Sequence, residues 1–432
     1  MMLKILLILP YDTTYKYRTA FIPSISYQPL TLSTLAALIP IELNPQITLV
    51  DEGVQTFDYE KGYYDIVGIS ICTSSSGRGY ALAQHFQKKG CYVFMGGHHA
   101  TLLPEETAQY CDTVFTGSAE CTLPRFFADY MDGKVQPRYD ATTVCADKIP
   151  VARRDLMPRK GYLPQPTIIA DYGCSNQCRY CVINSFWGKQ AKRPIADVID
   201  ELKSLGNKEF LFLDPSPLSD AAYAKELYRE LAKLHITWAG LSTLQVSQDD
   251  ELLELLQKSG CIGLLLGFET FNQTDLIKLA KCKNKVADYK EAVAKLHDKR
   301  IPVLGTFMLG LDGDTRESLR SLPDLIADAR IDVPRFAILT PYPNTPMFRE
   351  FEAQGRILTR DWSKYDSIHC VFQPMNMTAQ ELESEFLRVW RCCYSAGRIA
   401  GRLRHTPQRK LTALATNIGF NIYSNHLRGL LG

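Results

Sequence analysis

The first part of the chain alternates short apolar runs with amphipathic stretches. The apolar runs predict strands and the stretches between them predict helices. The predicted strands are 3–9, 46–51, 64–71, 91–95 and 113–116, and the predicted helices are 28–40, 76–89, 103–110 and 120–132. Apolar strands separated by helices are typical of a parallel sheet covered on both faces. Residues 1–140 are therefore predicted to form a doubly wound α/β domain.

The same alternation resumes after residue 166 and continues to about residue 342. The predicted strands here are 167–171, 209–214, 236–242, 261–268, 301–309 and 334–340. Six strands with helices between them predict an incomplete parallel (β/α)6 barrel with its site at the carboxyl ends of the strands. A second doubly wound sheet fits the same periodicity. We assign residues 167–370 to this second domain.

Two further segments complete the predicted organisation. Residues 141–166 have no sustained apolar period and predict a linker. They contain four prolines, Pro150, Pro158, Pro164 and Pro166. Residues 371–432 predict a small helical region, because apolar residues recur there at helical spacing. Those residues are Leu411, Leu414, Ile418 and Ile422.

Composition places the chain among ordinary globular proteins. It has 432 residues, 46% hydrophobic and 22% charged, with a net charge of +2 that does not argue for a nucleic-acid partner. Thirteen cysteines without a secretion signal predict a reducing compartment rather than a disulfide scaffold. The apolar residues 1–9 fit a buried strand. No run approaches the roughly 20 apolar residues of a spanning helix, so we expect a cytoplasmic protein.

The most distinctive chemistry is a loop with three closely spaced cysteines, which follows the predicted strand 167–171. Cys174, Cys178 and Cys181 are separated by four and three positions. Soft thiolates select iron–sulfur clusters or zinc, and a closed zinc site would require a fourth partner that is absent nearby. The favoured interpretation is a [4Fe–4S] cluster with one open iron. A zinc knuckle and three unrelated buried thiols are the alternatives.

This spacing, with Tyr180 immediately before the third cysteine, resembles the radical S-adenosylmethionine enzymes. The resemblance implies that the open iron binds the amino and carboxylate groups of S-adenosylmethionine. It also implies that one electron, from a donor such as flavodoxin or ferredoxin, cleaves this cofactor to a 5′-deoxyadenosyl radical that abstracts hydrogen from the substrate. Several strand ends carry residues that match the family's cofactor contacts.

In the family, the end of the second barrel strand contacts the amino group of S-adenosylmethionine. Asp214 and Ser216 lie there, although the family usually has further acidic or amide residues where this chain has Pro215 and Ser216. Ser242 and Thr243 end the third strand and offer hydroxyls for a carboxylate or ribose. Glu269 ends the fourth and is expected to hold the ribose, unless it is a solvated acid.

Arg193 follows the cysteine loop and could pair with the methionyl carboxylate of S-adenosylmethionine. A surface arginine at a helix start is the alternative. Both interpretations depend on where the chain places this side chain.

Three loops of the first domain resemble the cobalamin-binding domain that precedes many of these enzymes. Ser70 and the pair Gly96 and Gly97 match the family's contacts to the nucleotide tail of cobalamin, and a third loop contains Gly117 and Glu120. Such loops lie at the carboxyl ends of parallel strands, where ligands of open sheets bind.

The family's Asp-x-His-x-x-Gly loop, whose histidine binds cobalt, is absent. The residues Pro10-Tyr-Asp-Thr-Thr-Tyr15 stand in its place. Cobalamin would therefore lack a histidine lower ligand. The alternative is a domain that has lost the cofactor and remains as scaffold.

The end of the chain is strongly basic. Residues 386–432 contain eight Arg or Lys and no acid, so residues 1–385 carry a net −6. A basic amphipathic helix can bind an anionic membrane surface. This pattern predicts peripheral contact with the inner face of the membrane and a lipid-like substrate. A helix packed on the barrel with solvated arginines is the alternative.

The resemblance implies methylation of an unactivated carbon, and we expect the substrate to be a small molecule or a lipid-like molecule. Methylcobalamin would donate the methyl group to a substrate radical. The alternative is radical ring contraction, cyclisation or carbon–carbon bond formation without methyl transfer. A non-enzymatic metal-knuckle binding module is the remaining class.

Overall fold

The first half of the protein is a parallel sheet with helices on both faces. The computed structural model describes residues 2–12, 26–188 and 190–431. The strands are β1 (Lys4–Leu9), β2 (Gln46–Asp51), β3 (Ile66–Ser70), β4 (Tyr92–Gly96), β5 (Thr113–Thr116) and β6 (Arg138–Asp140). The helices are α1 (Thr31–Ala37), α2 (Ser76–Lys88), α3 (His98–Leu102), α4 (Pro104–Thr107) and α5 (Leu123–Met131).

The strand order of this sheet is β2-β1-β3-β4-β5-β6. The order reverses between β1 and β3, which is the switch point of a doubly wound fold and the usual position of a ligand crevice. Two apolar clusters, one on each face of the sheet, form the core. The predicted strands are therefore confirmed. The sixth strand, β6, was not predicted, because its sequence is short and polar.

A second parallel sheet follows. Its strands are β7 (Thr167–Ile168), β10 (Glu209–Phe212), β11 (Thr237–Ser242), β12 (Cys261–Glu269), β13 (Val303–Leu309) and β14 (Val333–Ile338). They neighbour one another in simple chain order with no reversal. This order distinguishes an incomplete barrel from a second doubly wound sheet, and the predicted fold class is confirmed. The domain boundaries at residues 140, 166 and 370 stay predictions.

The predicted strand 167–171 is divided in the structure. Its first residues form β7, and its last residue begins β8 (Asp171–Tyr172), which pairs antiparallel with β9 (Ala191–Lys192). The cysteine loop and α6 (Ile183–Trp187) lie between β8 and β9. This small hairpin closes the base of the loop, and such long-range pairing of two-residue strands leaves no periodic pattern in the sequence.

Helices connect the barrel strands and cover their outer face. They are α7 (Ile195–Leu205), α8 (Ala221–Ala232), α9 (Asp250–Lys258), α10 (Gln273–Lys278), α11 (Tyr289–Asp298), α12 (Arg316–Asp328) and α13 (Pro346–Ala353). Their apolar faces pack against alternate residues of the strands in one continuous core. The side chains on the other face of β11 to β14 are only half-buried, so that face borders open space.

The basic tail forms α14 (Ala379–Cys393), α15 (Ala396–His405) and α16 (Lys410–Leu431). Trp390 of α14 packs against Phe336 of β14 and against Phe420 and Tyr423 of α16. The tail therefore uses much of its apolar surface to cover the barrel. Leu411 and Ile418 remain exposed. None of the described helices is both long and apolar enough to cross a bilayer.

Half of the tail's eight basic residues have partners within the chain. Arg388 pairs with Glu385, Arg398 with Asp324 and Arg409 with Glu209. Arg402 is buried and donates to Asn417 and to the Cys393 carbonyl. Two acids of the barrel and one of α14 thus compensate part of the excess positive charge of residues 386–432, which favours a packing role for this segment.

Candidate active site between the two sheets

The cysteine loop is held by the barrel at several points. The backbone N–H of Ser175 donates to the Ser219 hydroxyl at 3.0 Å. The Arg179 N–H donates to the Leu279 carbonyl at 3.2 Å, and the Arg179 carbonyl accepts from the Met347 N–H at 3.1 Å. These contacts fix the loop in front of the carboxyl ends of the barrel strands.

The three thiols form a suitable donor set for an iron–sulfur cluster. Cys174, Cys178 and Cys181 are half-buried, and the N–H groups of Asn176 approach Cys174 Sγ at 3.4 and 3.5 Å. Burial, together with the neighbouring Cys178 and Cys174, raises the pKa of the Cys181 thiol to about 11. The three thiols belong to one loop of eight residues, Cys174–Cys181. Among the described residues, no group of His, Cys, Asp or Glu is arranged to hold a single metal ion.

Glu269 lies beside this loop in a special backbone conformation. Its φ is 69°, in the left-handed region that a side-chain-bearing residue rarely adopts. The pairing of β12 with β13 shifts register between Gly267 and Glu269, which turns the strand end. A Cβ at Gly267 would lie 2.4 Å from both Glu269 Oε1 and Lys281 Nζ, so a larger residue there would displace these two side chains.

Glu269 forms a buried ion pair with Lys281, a residue that the sequence did not reveal. The Lys281 side chain is 14% exposed and that of Glu269 is 8% exposed. Desolvation raises the pKa of Tyr180 well above its usual value, and the Glu269 charge and its hydrogen bond raise it further. Tyr180, Glu269 and Lys281 thus meet next to Cys178. No local motif marks Lys281, which follows Glu269 by twelve positions.

Asp214 and Asp171 form a buried pair of acids behind the cysteine loop. Asp214 Oδ1 accepts from the backbone N–H groups of Ala170 at 2.6 Å and Asp171 at 3.2 Å. The Asp171 carboxyl accepts from Gln190 at 2.6 Å, and its Oδ1 has no partner among the described residues. Burial raises the pKa of each acid to about 7, and Asp214 adds to the shift of Asp171.

This pair predicts a specific pH dependence of stability. The pKa of these acids in the folded protein lies above the usual value of about 3.9. Their protonated forms therefore contribute their full stabilisation of the fold at acidic pH. It is lost as the pH rises from about 4 through about 7. The free energy of unfolding of wild type should fall between pH 5 and pH 7.5. In Asp171→Asn we expect this fall to be smaller by about 1–3 kcal/mol. Guanidinium unfolding at pH 5 and pH 7.5 measures it, with the exposed Asp328→Asn as control. Equal pH slopes in wild type and Asp171→Asn would contradict the prediction.

The remaining predicted barrel residues are Ser242, Thr243 and Ser216, which differ in burial and in hydrogen bonding. Ser242 is buried at the end of β11, and its hydroxyl has no hydrogen-bond partner among the described residues. An orphaned buried hydroxyl at a strand end fits a ligand contact. Thr243 follows it and is half-buried. Ser216 is buried and accepts from the Ser219 hydroxyl at 3.0 Å.

Arg193 is not a surface residue. It is 4% exposed, and its guanidinium pairs with the buried Glu201 at 2.7 Å. It also donates to the Ile169 carbonyl at 3.2 Å. These contacts hold Arg193 at the base of the cysteine loop, and its role toward the methionyl carboxylate stays a prediction.

The predicted cobalamin loops meet at one edge of the first sheet. Ser70 and Gly96 are register partners at the ends of β3 and β4. Gly97 has φ 98°, and a Cβ there would lie 2.7 Å from the Ile71 carbonyl oxygen. Gly117 has φ 70° and approaches the Ala141 carbonyl so closely that a Cβ would overlap it. Burial raises the pKa of Glu120. The loop after β1 is only partly described, because Thr13, Thr14 and Tyr15 lie outside the described residues.

The Glu120 loop differs from the expectation in one respect. Cys121 forms a disulfide with Cys145, whose Cα lies 6.1 Å away. Composition predicted a reducing compartment rather than a disulfide scaffold, but the fold brings these two residues of the loop and the linker within bonding distance. The other eleven cysteines are free.

The two sheets present their site edges to each other. His98 packs edge-on against Phe186 of α6 with ring centroids 4.3 Å apart. Glu106 accepts from the Trp362 indole at 3.1 Å and from the Tyr80 hydroxyl at 2.9 Å. The Asn344 side chain donates to the Leu102 carbonyl. These contacts place the β3, β4 and β5 loops opposite the cysteine loop.

Known proteins match both the sequence and this architecture. Residues 168–326 match the model of the radical SAM superfamily. The chain is 30% identical to the bacteriochlorophyllide d C-12(1)-methyltransferase of Chlorobaculum tepidum, covering 88% of this chain and 85% of that protein. It is 27% identical to the C-8(2)-methyltransferase of the same organism, covering 90% of each. The Kitasatospora setae methyltransferase TsrM, solved with cobalamin and a [4Fe–4S] cluster, superposes with a TM-score of 0.64 at 18% identity, covering 82% of this chain and 78% of that one.

The chain therefore belongs to the radical S-adenosylmethionine enzymes. Within them it belongs to the branch with an N-terminal cobalamin-type domain, whose relatives here are named methyltransferases. The predicted family, enzyme class and cofactor set are confirmed. The roles of the individual site residues stay predictions.

Proposed function

We propose that the protein is a cobalamin-dependent C-methyltransferase that acts on a tetrapyrrole. The observation that carries this proposal is the 30% identity, along 88% of the chain, to a bacteriochlorophyllide methyltransferase. The relatives support a small-molecule substrate, and a tetrapyrrole is the narrower class that we propose. Transfer of a methyl group was the first-choice reaction from the sequence, and the relatives support it.

The residues of the site divide the required tasks. Cys174, Cys178 and Cys181 would hold the cluster, and Asp214 would accept hydrogen bonds from the amino group of S-adenosylmethionine. Glu269, oriented by Lys281, would accept hydrogen bonds from ribose hydroxyls. When bound, the cluster with S-adenosylmethionine supplies one-electron activation of a C–H bond, and cobalamin supplies a methyl carrier.

The arrangement of the two sheets supports such a division of labour. The loops after β3, β4 and β5 face the barrel opening, so cofactors bound on the two sides would share one substrate space. Holding reagents in one orientation replaces a costly encounter in solution. The half-buried apolar face of the barrel sheet would keep water from this space. An electron donor such as flavodoxin or ferredoxin is part of the proposal.

We also propose that the protein is cytoplasmic. In this proposal, residues 386–432 contact the inner face of the membrane. Arg391, Arg404, Lys410 and Arg428 have no ion pair among the described residues, and Leu411 and Ile418 are exposed beside them. Roughly 1 kcal/mol of attraction per basic residue at an anionic surface would make such contact weak and reversible. The packing of α16 on the barrel gives the tail a structural role in either case.

Retention of cobalamin tests the proposal. After equilibration with hydroxocobalamin and desalting, we expect the full chain to keep a stoichiometric amount. Electron paramagnetic resonance of the cob(II)alamin form should show no splitting from a protein imidazole nitrogen, because the histidine-bearing loop is absent.

A matched pair of glycine variants controls this experiment. Gly97→Ala places a Cβ against Ile71 at the proposed binding edge and should abolish retention. Gly133→Ala also has a positive φ, but the space around it is open. It should retain cobalamin. Wild-type protein that releases all cobalamin on desalting would favour the scaffold alternative.

A further inference from the structure

The Cys121–Cys145 disulfide joins two segments that leave neighbouring strands of the first sheet. Thr116 ends β5 and pairs in register with Asp140 at the end of β6. The Ala141 N–H then donates to the Thr116 carbonyl at 3.0 Å. Each cysteine follows this pairing by only four or five positions. The sheet therefore holds the two thiols close together whether or not they are bonded, so the bond can open and form again within the same fold.

One side of the disulfide is the loop after β5. Gly117 and Glu120, which are predicted cobalamin contacts, lie in this loop before Cys121. The Ser118 hydroxyl donates to the Glu120 carboxylate. The Gly117 N–H donates to the Thr101 hydroxyl at 2.9 Å. The disulfide therefore fixes the end of a loop that shapes the proposed cobalamin edge.

The other side of the disulfide is the start of the linker. The two residues that flank the linker cysteine, Val144 and Ala146, are buried in an apolar cluster with Tyr172 of β8. Thr143 forms an antiparallel bridge with Gly188, which follows α6. Both β8 and α6 belong to the hairpin region at the base of the cysteine loop. The disulfide therefore ties the proposed cobalamin edge to a segment that packs under the cysteine loop.

The bond lies within reach of small thiols, because neither of its cysteines is fully buried. One thiolate of a dithiol attacks a sulfur of the bond, and its second thiolate then leaves the dithiol as a cyclic disulfide. Cys121 and Cys145 gain two electrons and two protons, and a small disulfide reforms the bond by the reverse exchange. Composition predicts a reducing compartment, where disulfides are usually transient and serve catalysis or redox sensing.

We propose that Cys121 and Cys145 form a reversible redox switch that sets how firmly the loop after β5 is held. The closed disulfide holds Gly117 and Glu120 in place and slows the release of cobalamin, whereas the dithiol lets the loop move. A loop already held in its bound conformation loses less entropy when a ligand binds. By linkage, bound cobalamin must in turn stabilise the disulfide against reduction. The effect on cobalamin rests on the proposed function, but the bond and the mobility of the loop do not.

Two redox states of the anaerobically reconstituted full chain test the switch. The protein is equilibrated with glutathione disulfide or with dithiothreitol, desalted, loaded with hydroxocobalamin and desalted again. Mass spectrometry should find the Cys121–Cys145 cross-linked peptide in the first state and two free thiols in the second. Cobalamin should leave the reduced protein about tenfold faster than the oxidised protein. Backbone hydrogen exchange of residues 117–121 should also be faster in the reduced protein.

Serine variants separate the bond from other effects of the reagents. Cys121→Ser and Cys145→Ser cannot form the bond, so each should release cobalamin at the rate of reduced wild type after either treatment. Cys111→Ser is the matched control, because Cys111 is a free, half-buried cysteine of the same domain. It should respond to oxidation as wild type does.

Absence of the cross-linked peptide after oxidation would overturn the inference, and so would equal cobalamin release from the two states. Protein that retains no cobalamin in either state would instead contradict the proposed function. In that case hydrogen exchange decides the switch, and equal exchange of residues 117–121 in the two states would overturn it.

Discussion

Anaerobically reconstituted Cys178→Ala protein is expected to contain almost no iron–sulfur cluster and to form no 5′-deoxyadenosine. The loop offers three thiols, and an iron–sulfur cluster held by only two protein sulfurs is not retained. Wild type should contain about four irons per chain. Iron and sulfide analysis, together with the visible absorption of the protein, measures the difference.

Cys282→Ser is the matched control for this variant. Cys282 is exposed and follows Lys281, close to the loop in the fold but outside its thiol set. It should retain full iron content and full deoxyadenosine formation. An intact cluster in Cys178→Ala would refute the assignment, and so would loss of the cluster in Cys282→Ser.

Lys281→Met should destabilise the protein by about 3 kcal/mol, because it leaves the buried carboxylate of Glu269 without its counter-charge. The surroundings of Glu269 are poorly suited to an uncompensated charge, since its side chain is 8% exposed. Guanidinium unfolding of the reduced, cluster-free protein measures the change. The exposed Lys283→Met is the control and should be neutral.

The double variant Glu269→Gln/Lys281→Met separates electrostatics from packing. Removing both charges should restore more than half of the lost stability, because no buried charge is left unpaired. A double variant as unstable as Lys281→Met would show that the lysine acts through packing. It would also remove the reason to expect that Lys281 orients Glu269.

The sequence was most informative where the chemistry is local. The cysteine spacing lies within eight residues, so no tertiary structure is needed to recognise it. Glu269 and Ser242 were located because buried apolar strands lead directly to them. Their position at one edge then follows from the parallel topology.

The sequence could not reveal partners that are distant along the chain. Lys281 carries no motif, and its importance depends on the turn after α10. The Cys121–Cys145 bond depends on the path of the linker, and the β8–β9 hairpin on two pairs of residues. Arg193 could be assigned to the interior only after Glu201 was seen beside it.

The central claim is methyl transfer to carbon by a radical mechanism, and isotope labelling tests it most directly. The reconstituted protein is incubated anaerobically with cobalamin, a reductant, a tetrapyrrole carboxylate and S-adenosylmethionine that carries a deuterated methyl group. We predict a substrate product heavier by one deuterated methyl group, formed together with both 5′-deoxyadenosine and S-adenosylhomocysteine. A product formed with 5′-deoxyadenosine but without the label would contradict methyl transfer and favour radical cyclisation or ring contraction.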